Sequence, residues 1–353
     1  MAKKETVIEI EGKQLKLSNL DKVLYPAVGF TKGQVIDYFV RIAPVLLAHL
    51  KNRPLTMKRY PEGVDGMFFY EKNCPKHRPE WVQTAKVWSH GRSDYMQYCL
   101  AQDLPTLVWA ANLADLELHT SLARAEKIEQ PTMMVFDLDP GPPADIVLCC
   151  QVGLWLKDIF DRFKLQAFAK TSGSKGLQIY VPLNTPATYD DTKGFSRALA
   201  RLLEQEHPDL IVSDMKKALR VGKVFVDWSQ NDEHKTTINV YSLRAKERPT
   251  VSTPVTWEEV EKCLKKKDPK LLVFESSQVL ERVAKMGDIF APVQTLKQRL
   301  PNVTELGAES EPTSKPRTRR SSANSQPKTE TAKKAPGRKV RSSRPSGEAR
   351  QAG

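Results

Sequence analysis

A chain of 353 residues with 55 lysines and arginines against 42 acids carries a formal net charge of +13, which suits a polyanionic partner, nucleic acid before an anionic membrane surface. Five cysteines without a CxxC pair argue against a disulfide framework and against a thiolate zinc site, and so for a reducing compartment. No run reaches the roughly eighteen apolar residues of a membrane span, so a cytoplasmic, nucleoid-associated protein with no membrane partner is expected.

The charged start Met1-Ala2-Lys3-Lys4-Glu5 leads into an alternating Val7-Ile8-Glu9-Ile10 strand rather than an apolar signal core. Thr31 caps a predicted helix over residues 32–50, with Val35, Ile36, Phe39, Ile42, Leu46 and Leu50 on its buried stripe. Lys32 in the first turn opposes the helix dipole, a placement that makes sense where an anion docks at exposed amides. Cys74 and His77 have no second pair to complete a metal site and read as loop residues.

Residues 132–228 read as strand (MMVFDLD), helix (143–163), strand (AFAKTS), strand (LQIYVPL), helix (189–206), a connecting stretch and strand (KVFVDW). This βαββαβ order is that of ferredoxin-like and RNA-recognition sheets, in which the first and last strands are neighbours. Alternation puts Asp137 and Asp139 on one side of the first strand, and that adjacency brings Asp227 opposite them. A DxD before Asp139-Pro140-Gly141-Pro142-Pro143 is by itself ordinary turn chemistry. Three acids on neighbouring strand ends are more: like charges call for a cation, and hard oxygen ligands select Mg²⁺ or Mn²⁺ bound together with a nucleotide. Between the second and third strands, Thr171-Ser172-Gly173-Ser174-Lys175-Gly176 supplies small residues and one lysine at a turn, suited to phosphate although it is not a Walker A loop. From residue 303 onward the composition turns to Ser, Thr, Pro, Ala, Lys and Arg, with 12 basic residues against 5 acidic, and predicts a disordered basic arm over 303–353 that tracks phosphates without reading sequence.

Four segments, VFDLDPG, KTSGSKGLQIYVPL, LRVGKVFVDWSQN and KTTINVYSLRA, occur in the order seen in archaeo-eukaryotic primase-like polymerases. With LSNLDKVLYP, FTKGQVIDYF, RPLTMKRYPEGVDG, FFYEK and LELH, the chain resembles the polymerase domain of bacterial DNA ligase D over about residues 15–292. The resemblance implies an α+β fold: a primase-like core with a ferredoxin-like, RRM-like βαββαβ sheet over 129–295, and an N-terminal α/β portion over 1–128 that binds template and 5′-phosphate. It implies that Asp137, Asp139 and Asp227 hold two metals, Mn²⁺ or Mg²⁺, and that Ser172 and Lys175 belong to the triphosphate loop. Lys58 and Arg244 match further phosphate contacts, His119 a position beside the incoming nucleotide, Gln230 one near the sugar and Arg220 one near the acids. Asn19, Lys22 and Lys32 match a pocket for the 5′-phosphate of a gap or break, and Phe69 and Tyr70 match positions where template bases stack.

One position departs from the pattern: Gln178 stands where the family often has His, and it carries neither a proton nor a charge at neutral pH. The implied activity is template-directed addition of NTPs or dNTPs, with ribonucleotides preferred, to 3′ ends at DNA gaps and double-strand breaks in bacterial non-homologous end joining. No KxDG ligase motif appears, so a stand-alone polymerase working with Ku and a separate DNA ligase is expected. The rival readings are a primase that starts strands de novo and a DNA-end-bridging protein with residual catalysis.

Overall fold

The computed structural model describes residues 5–89 and 93–302 of the chain, so the basic arm expected from 303 lies outside the described residues. A hairpin of β1 (Glu5–Ile10) and β2 (Lys13–Ser18) is followed by the short pair β3 (Val23–Tyr25) and β4 (Phe30–Thr31). Helix α1 (Lys32–Leu50) starts where the sequence places it, because Thr31 and Gln34 form a reciprocal capping box and the whole predicted stripe is buried. Then come β5 (Leu55–Arg59), β6 (Phe69–Glu71), β7 (Thr84–Ser89), β8 (Asp94–Cys99), α2 (Leu104–Asn112) and β9 (Asp115–Thr120).

The second half contributes β10 (Met133–Pro140), α3 (Ile146–Arg162), β11 (Phe168–Thr171), β12 (Leu177–Pro182), α4 (Tyr189–Glu206), β13 (Ile211–Val212) and β14 (Val224–Asp227). It closes with β15 (Thr237–Ile238), β16 (Pro254–Val255), α5 (Trp257–Lys266), α6 (Ser276–Met286) and α7 (Pro292–Thr295). One sheet has the order β15-β9-β5-β8-β7, with β6 also on β5; the other runs β13-β14-β10-β12-β11-β16. The inner four strands of the second sheet are the predicted βαββαβ unit, with β14 antiparallel to β10. Helix α3 begins three residues later than residue 143, since the Asp145 carboxylate, accepting from the Val147 amide at 2.8 Å, sets its start.

The alternation along β10 decides where the acids point. Met133 and Val135 join the core shared with α1, α2 and the first sheet, whereas Met134, Phe136 and Leu138 join the core under α3 and α4. Asp137 and Asp139 continue the face of Met133 and Val135. Behind β10, the fully buried Asn231 side chain accepts from the Val135 amide at 2.9 Å and donates to the Val135 carbonyl at 2.7 Å, tying the turn after β14 to the central strand.

The cysteines depart from expectation: Cys74 and Cys99, with Cα atoms 5.0 Å apart, form a disulfide. Both β6 and β8 pair with β5, so the loop after β6 meets the end of β8, a proximity that no sequence spacing announces. Cys149, Cys150 and Cys263 are free and buried. Among the described residues no helix is long and apolar enough to cross a membrane.

Replacing Asn231 with Ala is expected to cost about 3 kcal/mol of unfolding free energy, because it leaves a buried amide and carbonyl of β10 unpaired. Urea unfolding of wild type and variant measures it, and a loss below about 1 kcal/mol contradicts the clamp.

Candidate active site

Asp137 stands directly opposite Asp227 in the β10–β14 register, and Asp139 is opposite Phe225 two residues along. Directly paired residues on one face have Cβ atoms roughly 5 Å apart, so two carboxylates meet across the ladder and a third flanks them. Burial, then the charge of Asp139 and, more weakly, that of Asp227, push Asp137 up to about 7 against a hydrogen bond from Gln178 and the charge of Lys170. Asp139 is also raised, by burial and by Asp227, against Arg220 and Arg244. Asp227 is held by neutral donors: the Ser229 amide at 3.0 Å, the Ser229 hydroxyl, and the Gln230 amide at 2.9 Å.

One oxygen of Asp137, Oδ1, is buried without any hydrogen-bond partner. An orphaned carboxylate oxygen beside two further acids, offering only hard oxygen donors, fits a divalent cation of the Mg²⁺ or Mn²⁺ type. Among the described residues no three His, Cys, Asp or Glu side chains are drawn together into a ready coordination group, so the acids are neighbours on a ladder rather than a closed cage.

Asp137 and Asp139 open onto a cleft of about 570 Å³ that Ser172, Lys175, Gln230 and Arg244 also line. A groove of about 630 Å³ near the start of β10, lined by Arg124, Lys127 and Thr132, brings no opposed acids together, so size does not mark the site. At the cleft, the Ser172 hydroxyl oxygen accepts from the amides of Ser174 at 3.2 Å and Gly176 at 3.1 Å, which folds the loop and leaves the hydroxyl proton free to donate. A Cβ at Gly176 would stand 2.2 Å from the Leu138 carbonyl oxygen, so only glycine lets this loop lie against the acid-bearing strand.

Sequence reasoning missed Glu117, the buried hub of the opposite wall. Its carboxylate is 3.3 Å from Lys58 Nζ, 3.1 Å from His119 Nε2 and 3.4 Å from Arg244 Nε, and it accepts from the Ala245 amide at 3.1 Å. Burial pushes Glu117 up, but its hydrogen bond with His119 and the charges around it, Arg244 first, outweigh that and bring it down to about 2. Burial also lowers His119, so the imidazole meets Glu117 as a neutral N–H donor and the lasting countercharges are Arg244 and Lys58. The segment LELH marks this position, but only the fold brings residues 58, 119 and 244 to it.

Other expected residues are placed differently from one another. His119 and Tyr70 line the cleft, with ring centroids 5.9 Å apart, while Lys58 sits behind it with Nζ 4.5 Å from the Phe68 ring centroid and 5.4 Å from that of Tyr70. Phe69 points to the other face of β6, its ring 5.1 Å from the Arg59 guanidinium, so Phe69 and Tyr70 are not brought together on one surface. Both are exposed. Arg220 packs 3.7 Å over the Phe225 ring beside the acids and does not line the cleft.

Asn19, Lys22 and Lys32 do come together at the start of α1. Asn19 takes a left-handed conformation (φ 55°) and its carbonyl accepts from the Lys22 amide at 3.0 Å. Lys32 is buried, donates from Nζ to the Ser18 carbonyl at 2.7 Å, and is lowered to about 8 by burial and by the charges of Lys22 and Arg59. The helix amides are not open to an anion as expected: those of Lys32 and Gly33 already donate to the Lys22 and Leu20 carbonyls, both at 2.8 Å. Side-chain cations, not the helix end, make this patch.

A family model described as LigD, primase-polymerase domain, matches residues 31–290. The chain is 40% identical over 282 residues to the multifunctional non-homologous end joining protein LigD of Mycolicibacterium smegmatis, covering 79% of this chain and 36% of that protein. It is 33% identical over 275 residues to the bifunctional non-homologous end joining protein LigD of Bacillus subtilis, covering 78% of this chain and 43% of that one. The chain thus spans about two fifths of the length of these relatives. The polymerase domain of Mycobacterium tuberculosis ligase D, solved in complex with DNA, superposes with a TM-score of 0.74 at 40% identity, over 80% of this chain and 99% of that one.

Two outcomes follow from the electrostatics. Asp137→Asn is expected to raise the melting temperature in EDTA at pH 8 by about 4 °C or more; because the folded acid is raised to about 7 from 3.8, the gain disappears as pH falls from 7 toward 4. Glu117→Gln is expected to lose about 2 kcal/mol at pH 7. Since Glu117 is held below its ordinary 4.5, that difference is complete above pH 4.5 and narrows as pH falls toward 2. Urea unfolding at pH 7 and pH 3 checks it, and an unchanged gap between the two would show that the ion pairs are not its source.

Proposed function

The chain belongs to the LigD primase-polymerase family, and from that premise we propose that it is a template-directed nucleotidyltransferase that fills gaps and extends 3′ ends at DNA double-strand breaks in bacterial non-homologous end joining. The observation that carries this is the pair Asp137 and Asp227 facing each other across the ladder, with an orphaned oxygen on Asp137 and with Asp137 and Asp139 opening onto the cleft that Ser172 and Lys175 line. In the reaction the primer 3′-oxygen attacks the α-phosphorus, the bond to the β-phosphate breaks and pyrophosphate leaves.

Asp137, Asp139 and Asp227 are the residues that would hold Mn²⁺ or Mg²⁺. When bound, such cations lower the pKa of the primer hydroxyl and offset charge on the leaving group. The chain itself supplies the rest of the triphosphate's countercharge: the Ser172 hydroxyl donates, Lys175 and Arg244 face the phosphates, and Glu117 keeps Arg244, Lys58 and His119 in place. Gln230 spans from Asp227 toward the sugar, where it can bond a 2′-hydroxyl and favour ribonucleotides. Arg220, stacked on Phe225, tempers the charge of Asp139.

Residues 1–128 form the DNA-end side in this reading, and 129–295 the chemical side. Asn19, Lys22 and Lys32 take a 5′-phosphate, which competes with Glu62 for Lys22, the two paired at 2.8 Å, and brings opposite charge to Lys32, whose Nζ is held by a backbone carbonyl. Tyr70 stacks on the template or incoming base, and Phe69 serves a second surface beside Arg59. Ku and a separate DNA ligase are the partners of such an activity, and the tail beyond residue 303 adds sequence-independent DNA affinity.

Extension on a gapped duplex, with and without a 5′-phosphate, with ribo- or deoxynucleotides and Mn²⁺, tests the proposal. Phosphate-stimulated ribonucleotide insertion is expected, with Asp137→Ala and Asp227→Ala lowering it by about 10³-fold or more. Lys22→Ala with Lys32→Ala removes the difference between phosphorylated and unphosphorylated gaps. DNA binding without extension by the wild type would instead favour the end-bridging reading, and synthesis on an unprimed template would favour a primase.

A further inference from the structure

Gln178 faces Asp137 directly across the β10–β12 ladder, and a side-chain hydrogen bond from Gln178 favours the ionised Asp137 carboxylate. A carboxamide can do this only one way round. Its NH₂ stabilises a carboxylate, its oxygen repels one, and a half-turn of the last torsion exchanges them.

Lys170 decides the orientation. Its Nζ donates to Gln178 Oε1 and to Ser252 Oγ at 2.7 Å, and Ser252 in turn donates to the Thr171 carbonyl at 2.9 Å. With the amide oxygen occupied by an ammonium, only the NH₂ end is left to meet Asp137. The lysine is 1% exposed, lies 5.4 Å from the Tyr180 ring centroid, and makes no ion pair with a carboxylate among the described residues. A cation so deeply buried without an ion-pair partner is poorly explained as packing. Burial lowers its pKa to about 7 while the Asp137 charge opposes that; the donor geometry to Gln178 Oε1 and Ser252 Oγ is what fixes the amide.

The opposing acid is treated in the same way. Ser229 Oγ accepts from Lys235 Nζ and donates to Asp227 Oδ1. Each member of the facing pair therefore meets a neutral donor whose own acceptor is filled by a lysine. A lysine placed directly on either carboxylate would compete with a cation, whereas a neutral donor aligns the carboxylate and leaves its charge available.

We propose that Lys170 is a positioning residue: it holds the Gln178 carboxamide with its NH₂ toward Asp137, which leaves the second oxygen of Asp137 turned to a divalent cation. This rests on the reading of Asp137 as a cation ligand. It also gives Gln178 a role that histidine would fill differently, since an imidazole can offer an N–H from either ring nitrogen by changing tautomer and needs no lysine to hold it.

The test is binding of Mn²⁺ alone to the full chain without nucleotide, read from the electron paramagnetic resonance signal of free Mn²⁺, with circular dichroism to verify folding. Removing a positive charge near a cation site should by itself tighten binding; loss of orientation should weaken it. Lys170→Met is expected to weaken Mn²⁺ binding by about fivefold or more, a change equivalent to one lost hydrogen bond, and Lys170→Met with Gln178→His to restore it to within about twofold. Affinity equal to or tighter than wild type in folded Lys170→Met overturns the proposal, as does failure of the double variant to recover any of the loss. Should Lys170→Met not fold, Gln178→Met with Lys170 intact is expected to show the same weakening, and unchanged affinity there overturns the proposal equally. Asp137→Ala separates the two levels: if it binds Mn²⁺ as wild type does, the cation site itself is wrong, whereas if it loses binding and Lys170→Met does not, only the role of Lys170 is.

Discussion

Two carboxylates that face each other across an antiparallel ladder, in a place where burial already disfavours the charged form of Asp137, are the constraint around which the rest is arranged. Ladder geometry fixes them: Asp137 cannot turn away from Asp227 without breaking the register that also pairs Leu138 with Val226. The surroundings do not neutralise the acids with direct ion pairs. Gln178, Ser229 and Gln230 offer neutral hydrogen bonds, and the cations Lys175 and Arg244 line the same cleft. A site left electrically incomplete in this way is complementary to a bound complex rather than to its own empty state.

The opposite wall solves the converse problem. Lys58, His119 and Arg244 converge from three segments far apart in sequence, and without an acid among them the two cations Lys58 and Arg244 would repel one another and any arriving cation. Glu117 supplies that acid from a position 2% exposed, and its depressed pKa measures how strongly it is held ionised. Glu117 therefore holds Lys58 and Arg244 in place, while Asp137 and Asp139 remain the unbalanced charges. The two walls differ in sign, in burial of their anchors and in what each lacks.

Much of this was legible in the sequence. The period-two run through Met133–Asp139 and the capped stripe of α1 are local signals, and the βαββαβ order alone put Asp227 beside Asp137, because topology rules restrict where a fourth strand can pair. What could not be read depends on contacts between distant segments. Nothing near Glu117 announces that Arg244 lies against it, and nothing in the spacing of Cys74 and Cys99 shows that β6 and β8 share an edge of β5. Phe69 and Tyr70 were one motif in sequence, yet strand alternation splits them between two surfaces. The three residues expected at the start of α1 do lie together, but the helix amides expected to meet an anion are not open, since α1's first amides are consumed by the turn at Leu20–Lys22.

That turn points to a common logic in the two charged clusters. At the start of α1 burial first, and then the charges of Lys22 and Arg59, pull Lys32 down, and at the ends of β10 and β14 burial first, and then the neighbouring acids, push Asp137 up. In each cluster burial and like charge disfavour the ionised form of one group, Lys32 in the first and Asp137 in the second, and in the proposed function a ligand of opposite charge relieves this: a phosphate at one, divalent cations at the other. Strand β5 leads from one to the other, since Arg59 belongs to the first cluster while Lys58, its neighbour on the other face, belongs to the wall held by Glu117. Adjacent residues of one strand thus reach two differently charged clusters on its opposite faces, which fixes the spacing of those clusters through the backbone of β5.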